Sequence, residues 1–339
     1  MIAKRQLISA VLVLVAGLVA LNVAVSALTR NSVPRQVMRR ARQSQAATVV
    51  ALGNSLVASG FNESAFDSAT DLNAPRGAVN LGLGASTPVE QLLLLRYALA
   101  QGMRPQLAIY GFFDFQLTES DKFSIGDMIG NRAMDYYVEP SYGRRFYSLS
   151  THDAIAFQAL HVLPMFADRG AIWAKVEILR RAIGQQGLPV QRSNQFGRAS
   201  DFSLLEARDE QEFRQKCEDS LSQPLSPAVR ELLRVAGEAG LPIAVVEMPM
   251  RRAHRQMFYD TAGWQQYVAH VRKLLTAVPV TFIDASHWIL DDSQFDDPLH
   301  LGRSGAQEFS RRLGTELRTE MATVPALRAT SPQHESGTP

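Results

Sequence analysis

Runs of β-branched and aliphatic residues recur along the chain without polar alternation, each closed by a turn-forming or polar residue. Thr48–Leu52, Ala78–Leu81, Leu107–Tyr110, Pro242–Val246 and Val280–Ile283 are five such runs. A strand covered on one face alternates apolar and polar side chains. An unbroken apolar run therefore predicts a strand covered on both faces, as in a parallel sheet between helices. Helical patterns fall between the runs. Pro88–Gln101 has Thr87 as its predicted N-cap and a proline at its first position, where the missing N–H costs nothing. Residues 226–239 and 262–277 precede the fourth and fifth strands, and Ala306–Leu317 is a last amphipathic helix. Strands alternating with helices predict an α/β fold, a three-layer α/β/α domain on a parallel sheet. Sites in such sheets form at the carboxyl ends of strands, where Ser55, Gly84, Gly111 and Glu247 all fall.

Two segments break this rhythm. At the N-terminus, Lys4 and Arg5 precede an apolar run from Leu7 to Leu28. A spanning helix needs about 20 apolar residues and a signal-peptide core roughly 7–15, so the length predicts a membrane anchor. Val25-Ser26-Ala27 also fits a small-residue cleavage site. Arg30, Arg35, Arg39, Arg40 and Arg42 follow the run, and the positive-inside rule alone would put the remainder of the chain in the cytoplasm. The second break is the stretch 115–224, too long for a loop and predicted to be a partly helical insertion, with helices near 151–166 and 168–185. It carries Arg132, Tyr136, Tyr137, Tyr142, Arg144, Arg145 and Tyr147. Such groups suit sugar faces and carboxylates, but the preferred reading is a solvated loop with aromatic anchors. The expected partition is residues 1–29 as signal-anchor helix, 30–46 as basic juxtamembrane helix or linker, 47–320 as one domain containing the insertion, and 321–339 as a disordered tail.

Composition adds mainly exclusions. Of 339 residues, 46% are hydrophobic and 20% charged, which describes a globular chain. A formal net charge of +2 gives no reason to expect nucleic acid as a partner. Cys217 alone cannot build a disulfide framework or a cysteine-rich zinc site. No Walker-type loop, dinucleotide fingerprint or metal-ligand cluster occurs, so no cofactor is expected.

The chemistry-bearing residues lie at opposite ends of the domain. The first strand runs into Gly53-Asn54-Ser55, and Asp297-Pro298-Leu299-His300 stands just before the last helix. A serine at a strand's end, with an Asp-x-x-His, supplies nucleophile, base and orienting carboxylate, the three roles acyl transfer needs. Asn-Ser alone is ordinary turn chemistry. The Asp-x-x-His also has a double in Asp284-Ala285-Ser286-His287. Asp297 and His300 are preferred because a small-residue turn and a helix follow at once. His287, followed by Trp288-Ile289-Leu290, reads as a packed residue after a strand.

In this order and combination the segments resemble the SGNH/GDSL hydrolase superfamily, within it membrane-anchored bacterial branches related to polysaccharide O-acetylation proteins. Gly53-Asn54-Ser55 matches the first block, with Asn54 where the family usually has aspartate. Asn80–Thr87 resembles the second block, whose backbone amide at Gly84 or Ala85 would bind an oxyanion. Asp297 and His300 match the last block. The third block, Gly-x-Asn-Asp, falls on Gly111-Phe112-Phe113-Asp114, so Phe113 replaces the oxyanion-donating asparagine and Asn54 is the substitute donor to consider. The likeness covers residues 47–114 and 241–318. It implies a flavodoxin-like sheet, a Ser55–His300–Asp297 triad, and an ester or acylated carbohydrate as substrate. It further implies polysaccharide-modification partners and a bacterial inner-membrane protein with its domain outside the cytoplasm. The alternative is a non-catalytic scaffold of the same fold in an envelope polysaccharide complex.

Overall fold

The computed structural model describes residues 2–72, 77–84, 86–118, 144–147 and 207–323, with residues 142, 151, 155, 165, 172 and 176. Most of the predicted insertion, including Arg132, Tyr136 and Tyr137, lies outside the described residues, as do Ala85 and residues 324–339. In chain order the elements are α1 (Ile2–Leu28), α2 (Val33–Gln43), β1 (Val49–Gly53), α3 (Ser55–Gly60), α4 (Glu63–Thr70), β2 (Ala78–Asn80), α5 (Pro88–Ala100) and β3 (Leu107–Phe112). After the insertion come α6 (Ala207–Ser220), α7 (Pro227–Glu238), β4 (Ile243–Glu247), α8 (Arg252–Phe258), α9 (Ala262–Leu275), β5 (Val280–Asp284) and α10 (Arg303–Thr323).

Each apolar run forms one strand of a single all-parallel sheet, in the order β2-β1-β3-β4-β5. That is the doubly wound flavodoxin-like order. Right-handed crossovers put α3 and α4 on one face and α5, α7 and α9 on the other, because the chain steps one way from β1 to β2 and the other way thereafter. α10 closes the first face, packing on α4 and α3. Every residue of the central strands β1, β3 and β4 is buried, whereas the edge strand β5 is half-buried over most of its length. At the other edge, the outward N–H groups of β2 are taken by α4: Ala78 donates to Asp67 Oδ1 at 2.7 Å and Asn80 to the Glu63 carboxylate. Those acceptors close an edge that would otherwise invite a further strand.

The N-terminal helix is continuous, and Arg5–Leu28 is long and apolar enough to cross a membrane. α2 buries Pro34, Val37 and Ala41 and packs on α5, leaving its arginines outward. Arg35 donates to the Ser26 carbonyl at 3.0 Å, fastening the turn between the two helices. What was predicted as helix or linker is thus a docked helix. From the insertion's aromatic and basic group, Tyr142 is anchored, with the Arg96 guanidinium 3.8 Å above its ring and its hydroxyl on Glu231. Tyr147 is buried. For these two residues the anchoring role is the one the fold uses.

Candidate active site

Gly53 ends β1 with φ +152°, Asn54 is extended, and Ser55 opens α3 as its first residue. Asn54 caps this helix: its Oδ1 accepts the Leu56 N–H at 3.0 Å, while its Nδ2 donates to Gln116 Oε1 at 3.0 Å. The turn requires glycine on two adjacent strands. A Cβ on Gly53 would stand 2.4 Å from Val57 Cγ2 and 2.7 Å from the Gly111 carbonyl oxygen. One on Gly111, its register partner, would stand 2.3 Å from the same methyl and 2.9 Å from Met248 Sδ. With no side chains there, α3 settles directly onto β1 and β3 and presents Ser55, half-buried, at the sheet's carboxyl rim.

The second block lies alongside. Leu83 N–H donates to the Gly53 carbonyl at 2.9 Å, and the Ser86 hydroxyl donates to the same oxygen at 3.2 Å. Gly84 is buried beside this junction. Among the described residues, the amide N–H groups of Ser55 and Gly84 find no acceptor. They are therefore the donors that could meet an oxyanion.

Asp297 and His300 form a direct pair. His300 Nδ1 lies 2.9 Å from Asp297 Oδ1 and 2.8 Å from Oδ2. Oδ1 also accepts the backbone N–H groups of Leu299 at 2.9 Å and His300 at 2.8 Å. Burial alone would raise this carboxyl, but the bonds from the imidazole and the two amides hold it below the usual carboxylate range. An ionised carboxylate can only accept, so Nδ1 carries the proton and the ring's lone pair is on the buried Nε2. The Phe295–Leu301 bridge and the bond from Gly302 N–H to the Gln294 carbonyl, 2.8 Å, close the loop. α10 ties this loop to the serine's helix: Ser310 Oγ donates to the Gly60 carbonyl at 3.2 Å and accepts the Asn62 N–H at 2.7 Å. A Cβ on Gly60 would lie 3.4 Å from Leu301 Cδ1. Two of the three groups are thus in contact and the third is fastened to the same assembly. Among the described residues the Ser55 hydroxyl itself makes no hydrogen bond.

The second Asp-x-x-His does something else. Asp284 accepts from Ser286 Oγ at 2.6 Å and faces Arg272, while His287 contacts Ser286 Oγ at 2.9 Å and Asp260 at 3.0 Å. Its side chain is 58% exposed, which corrects the expectation of a packed residue: the turn after β5 points it outward. Phe113, the departure from the third block, is half-buried against the core and offers no donor. Asn54, the substitute considered, has its amide engaged by Gln116.

Two neighbours had no signal in the sequence strong enough to single them out. His254 on α8 is pushed down to about 4 by burial, with the Asp297 charge opposing that shift. α8 is docked on the same loop by Arg251 N–H donating to the Pro298 carbonyl at 3.1 Å. Asp114, just past β3, sits in the left-handed region at φ 59°, a conformation aspartate tolerates better than most residues.

No family model matches the sequence, and no curated protein does. Among solved structures, the chain is similar to one described as a "putative acylhydrolase" from Bacteroides fragilis. The likeness has 10% identity and a TM-score of 0.39 and covers 84% of this chain and 96% of that one. At that identity and score it assigns neither fold nor function, and the chemistry has to be read from the residues.

Proposed function

We propose that the chain is a membrane-anchored serine esterase or O-acyltransferase of the SGNH type. It acts outside the cytoplasm on acyl, above all acetyl, esters of an envelope polysaccharide. The observation that carries this reading is the Asp297–His300 pair, on a loop that α10 ties to the helix opened by Ser55. Ser55 Oγ attacks the ester carbonyl carbon and its proton passes to His300 Nε2, while Asp297 steadies the imidazolium. The oxyanion is met by the amides of Ser55 and Gly84, with Ala85 as the other family position. Collapse breaks the ester bond, and the departing alkoxide takes the proton from Nε2. Water or a sugar hydroxyl then attacks the acyl-enzyme, giving hydrolysis or transfer respectively.

α1 supplies the anchor, in a bacterial inner membrane on this reading. Three of the five arginines after the span are engaged locally: Arg35 on Ser26, Arg39 on the Arg30 carbonyl, and Arg40 on Glu63. We take them as fasteners of the anchor-to-domain junction. Labelling by a fluorophosphonate, present in the full-length protein and absent in Ser55→Ala, tests the nucleophile. Equal labelling of both removes it.

A second reading is favoured by Phe113: a non-catalytic binding member of an envelope polysaccharide complex, its oxyanion site lacking the side-chain donor. One absent donor lowers the rate by about 10²–10³. Absence of both labelling and acyl-ester turnover in the folded wild-type chain would select it.

A further inference from the structure

Away from the serine, the end of β4 holds a carboxyl group that makes no ion pair among the described residues. Glu247 is 3% exposed, and its in-register neighbour on β5 is Asp284. Its Oε1 accepts the Trp264 Nε1–H at 2.7 Å, and its Oε2 accepts no hydrogen bond among the described residues. The two nearby carboxylates are each balanced. Asp260 lies 3.2 Å from Arg255 Nε and 3.0 Å from His287 Nε2. Asp284 takes the Ser286 hydroxyl at 2.6 Å and lies 3.6 Å from Arg272, whose guanidinium also covers the Phe282 ring. Glu247 has no ion pair among the described residues.

This carboxyl lines a cavity of about 380 Å³ together with Tyr259, Asp260, Trp264, Gln265, Arg272, Asp284 and His287. Cavities from roughly 300 Å³ upward are the size class that takes small organic ligands. An anion would meet three carboxyl groups, and the one guanidinium in the wall, Arg272, already faces Asp284 at 3.6 Å. An apolar ligand would strip water from polar walls without replacing its hydrogen bonds. A cation beside Glu247 gives it the direct ion-pair partner that Arg272, turned to Asp284, does not, and the Trp264 and Tyr259 rings favour it further. Gln265, Asp284 and His287 offer donors and acceptors at the scale of hydroxyl groups, which both donate and accept. Among the described residues no group of three metal-ligating side chains is assembled, which leaves an organic cation.

We infer that this cavity binds an amino sugar, its ammonium group on Glu247, its ring against Trp264 and Tyr259, and its hydroxyls on Asp284 and Gln265. The inference is independent of any chemistry at Ser55. The test is calorimetric titration of the full-length protein in detergent at pH 7 with glucosamine, glucose and N-acetylglucosamine. Glucosamine should bind about tenfold more tightly than either uncharged sugar, as one charge-assisted hydrogen bond implies. Glu247→Gln, which keeps an acceptor for Trp264, should erase that preference. Ala269→Trp, on the exposed side of α9 where Ala269 lines the cavity, should block binding without touching a buried group, and so decides the matter even if the first variant fails to fold. Glucosamine binding no more tightly than glucose, or an unchanged affinity in Ala269→Trp, would overturn the inference.

Discussion

Glu247→Gln separates the cost of an ionised buried carboxylate from everything else the residue does. Glutamine keeps the length and the acceptor for Trp264 Nε1, so packing and the 2.7 Å bond are preserved, while the titration disappears. Burial pushes the Glu247 carboxyl from its ordinary 4.5 up to about 7, with the Trp264 bond and the Arg272 charge opposing and the Asp284 and Asp260 charges adding. A carboxyl whose folded value is raised gives its full stability below the unfolded value and loses it as pH climbs through the folded one. The loss accumulates between about 4.5 and 7 and is constant above. At 1.36 kcal/mol per pH unit, that interval corresponds to about 3 kcal/mol, or roughly 6–12 °C in Tm for a domain of this size. The assay is thermal unfolding of the full-length wild type and variant at pH 5 and pH 8, followed by tryptophan fluorescence. Other groups titrate in this range, so the informative quantity is the difference between the two proteins. The variant should gain on the wild type by that margin between the two pH values. Parallel behaviour would show that Glu247 ionises in the fold without penalty, refuting the account of it as a carboxylate that burial penalises.

Gly111→Ala should destabilise the domain by about 1–3 kcal/mol, the usual cost of forcing a methyl into a filled site, since its Cβ would meet Val57 Cγ2 at 2.3 Å. Adding Val57→Ala should recover part of that loss in denaturant unfolding, because the two changes share one contact; strictly additive losses would contradict it. Asp297→Asn should leave the fold and KM nearly unchanged and lower kcat on p-nitrophenyl acetate by about 10⁴. The substitution offers His300 Nδ1 an amide able to donate, releasing the ring proton to Nε2, where it blocks the base. A loss below tenfold would mean that the pair does not serve as base and orienter.

The sheet was legible because its strands are buried on both faces. Val49–Gly53, Leu107–Phe112 and Ile243–Glu247 are covered at every residue, and a strand with two covered faces has no alternation to blur it. The helices that escaped the reading are α3, α4, α6 and α8. α3 has six residues, too few to show a 3.6-residue period, and its existence depends on the glycines at 53 and 111, which are far apart in sequence and adjacent only across the β1–β3 register. α6 and α8 meet through Phe213, whose ring lies 5.1 Å from those of Phe258 and Tyr259. That tertiary contact leaves no period in either segment.

The two Asp-x-x-His segments show where spacing stops being informative. Each presents an aspartate three residues before a histidine, yet only Asp297 reaches its own histidine's side chain. In the loop before α10, Asp297 Oδ1 accepts the N–H groups of Leu299 and His300, and this turn folds the chain back so that Nδ1 falls onto the same carboxylate. After β5, Asp284 is still the last residue of a strand, and its side chain is taken by the Ser286 hydroxyl and N–H instead. His287 is then turned away, towards Asp260 on a different element. The residue after each aspartate separates the two cases: Ala285 N–H donates to the Glu247 carbonyl at 3.2 Å and so continues the sheet, whereas Pro298 has no N–H to extend a strand and restricts the residue before it to extended backbone. That conformation suits an aspartate capping the turn that follows. A one-residue difference in backbone donors thus decides which of two identical spacings can orient a base, and which one becomes the polar wall of a separate cavity.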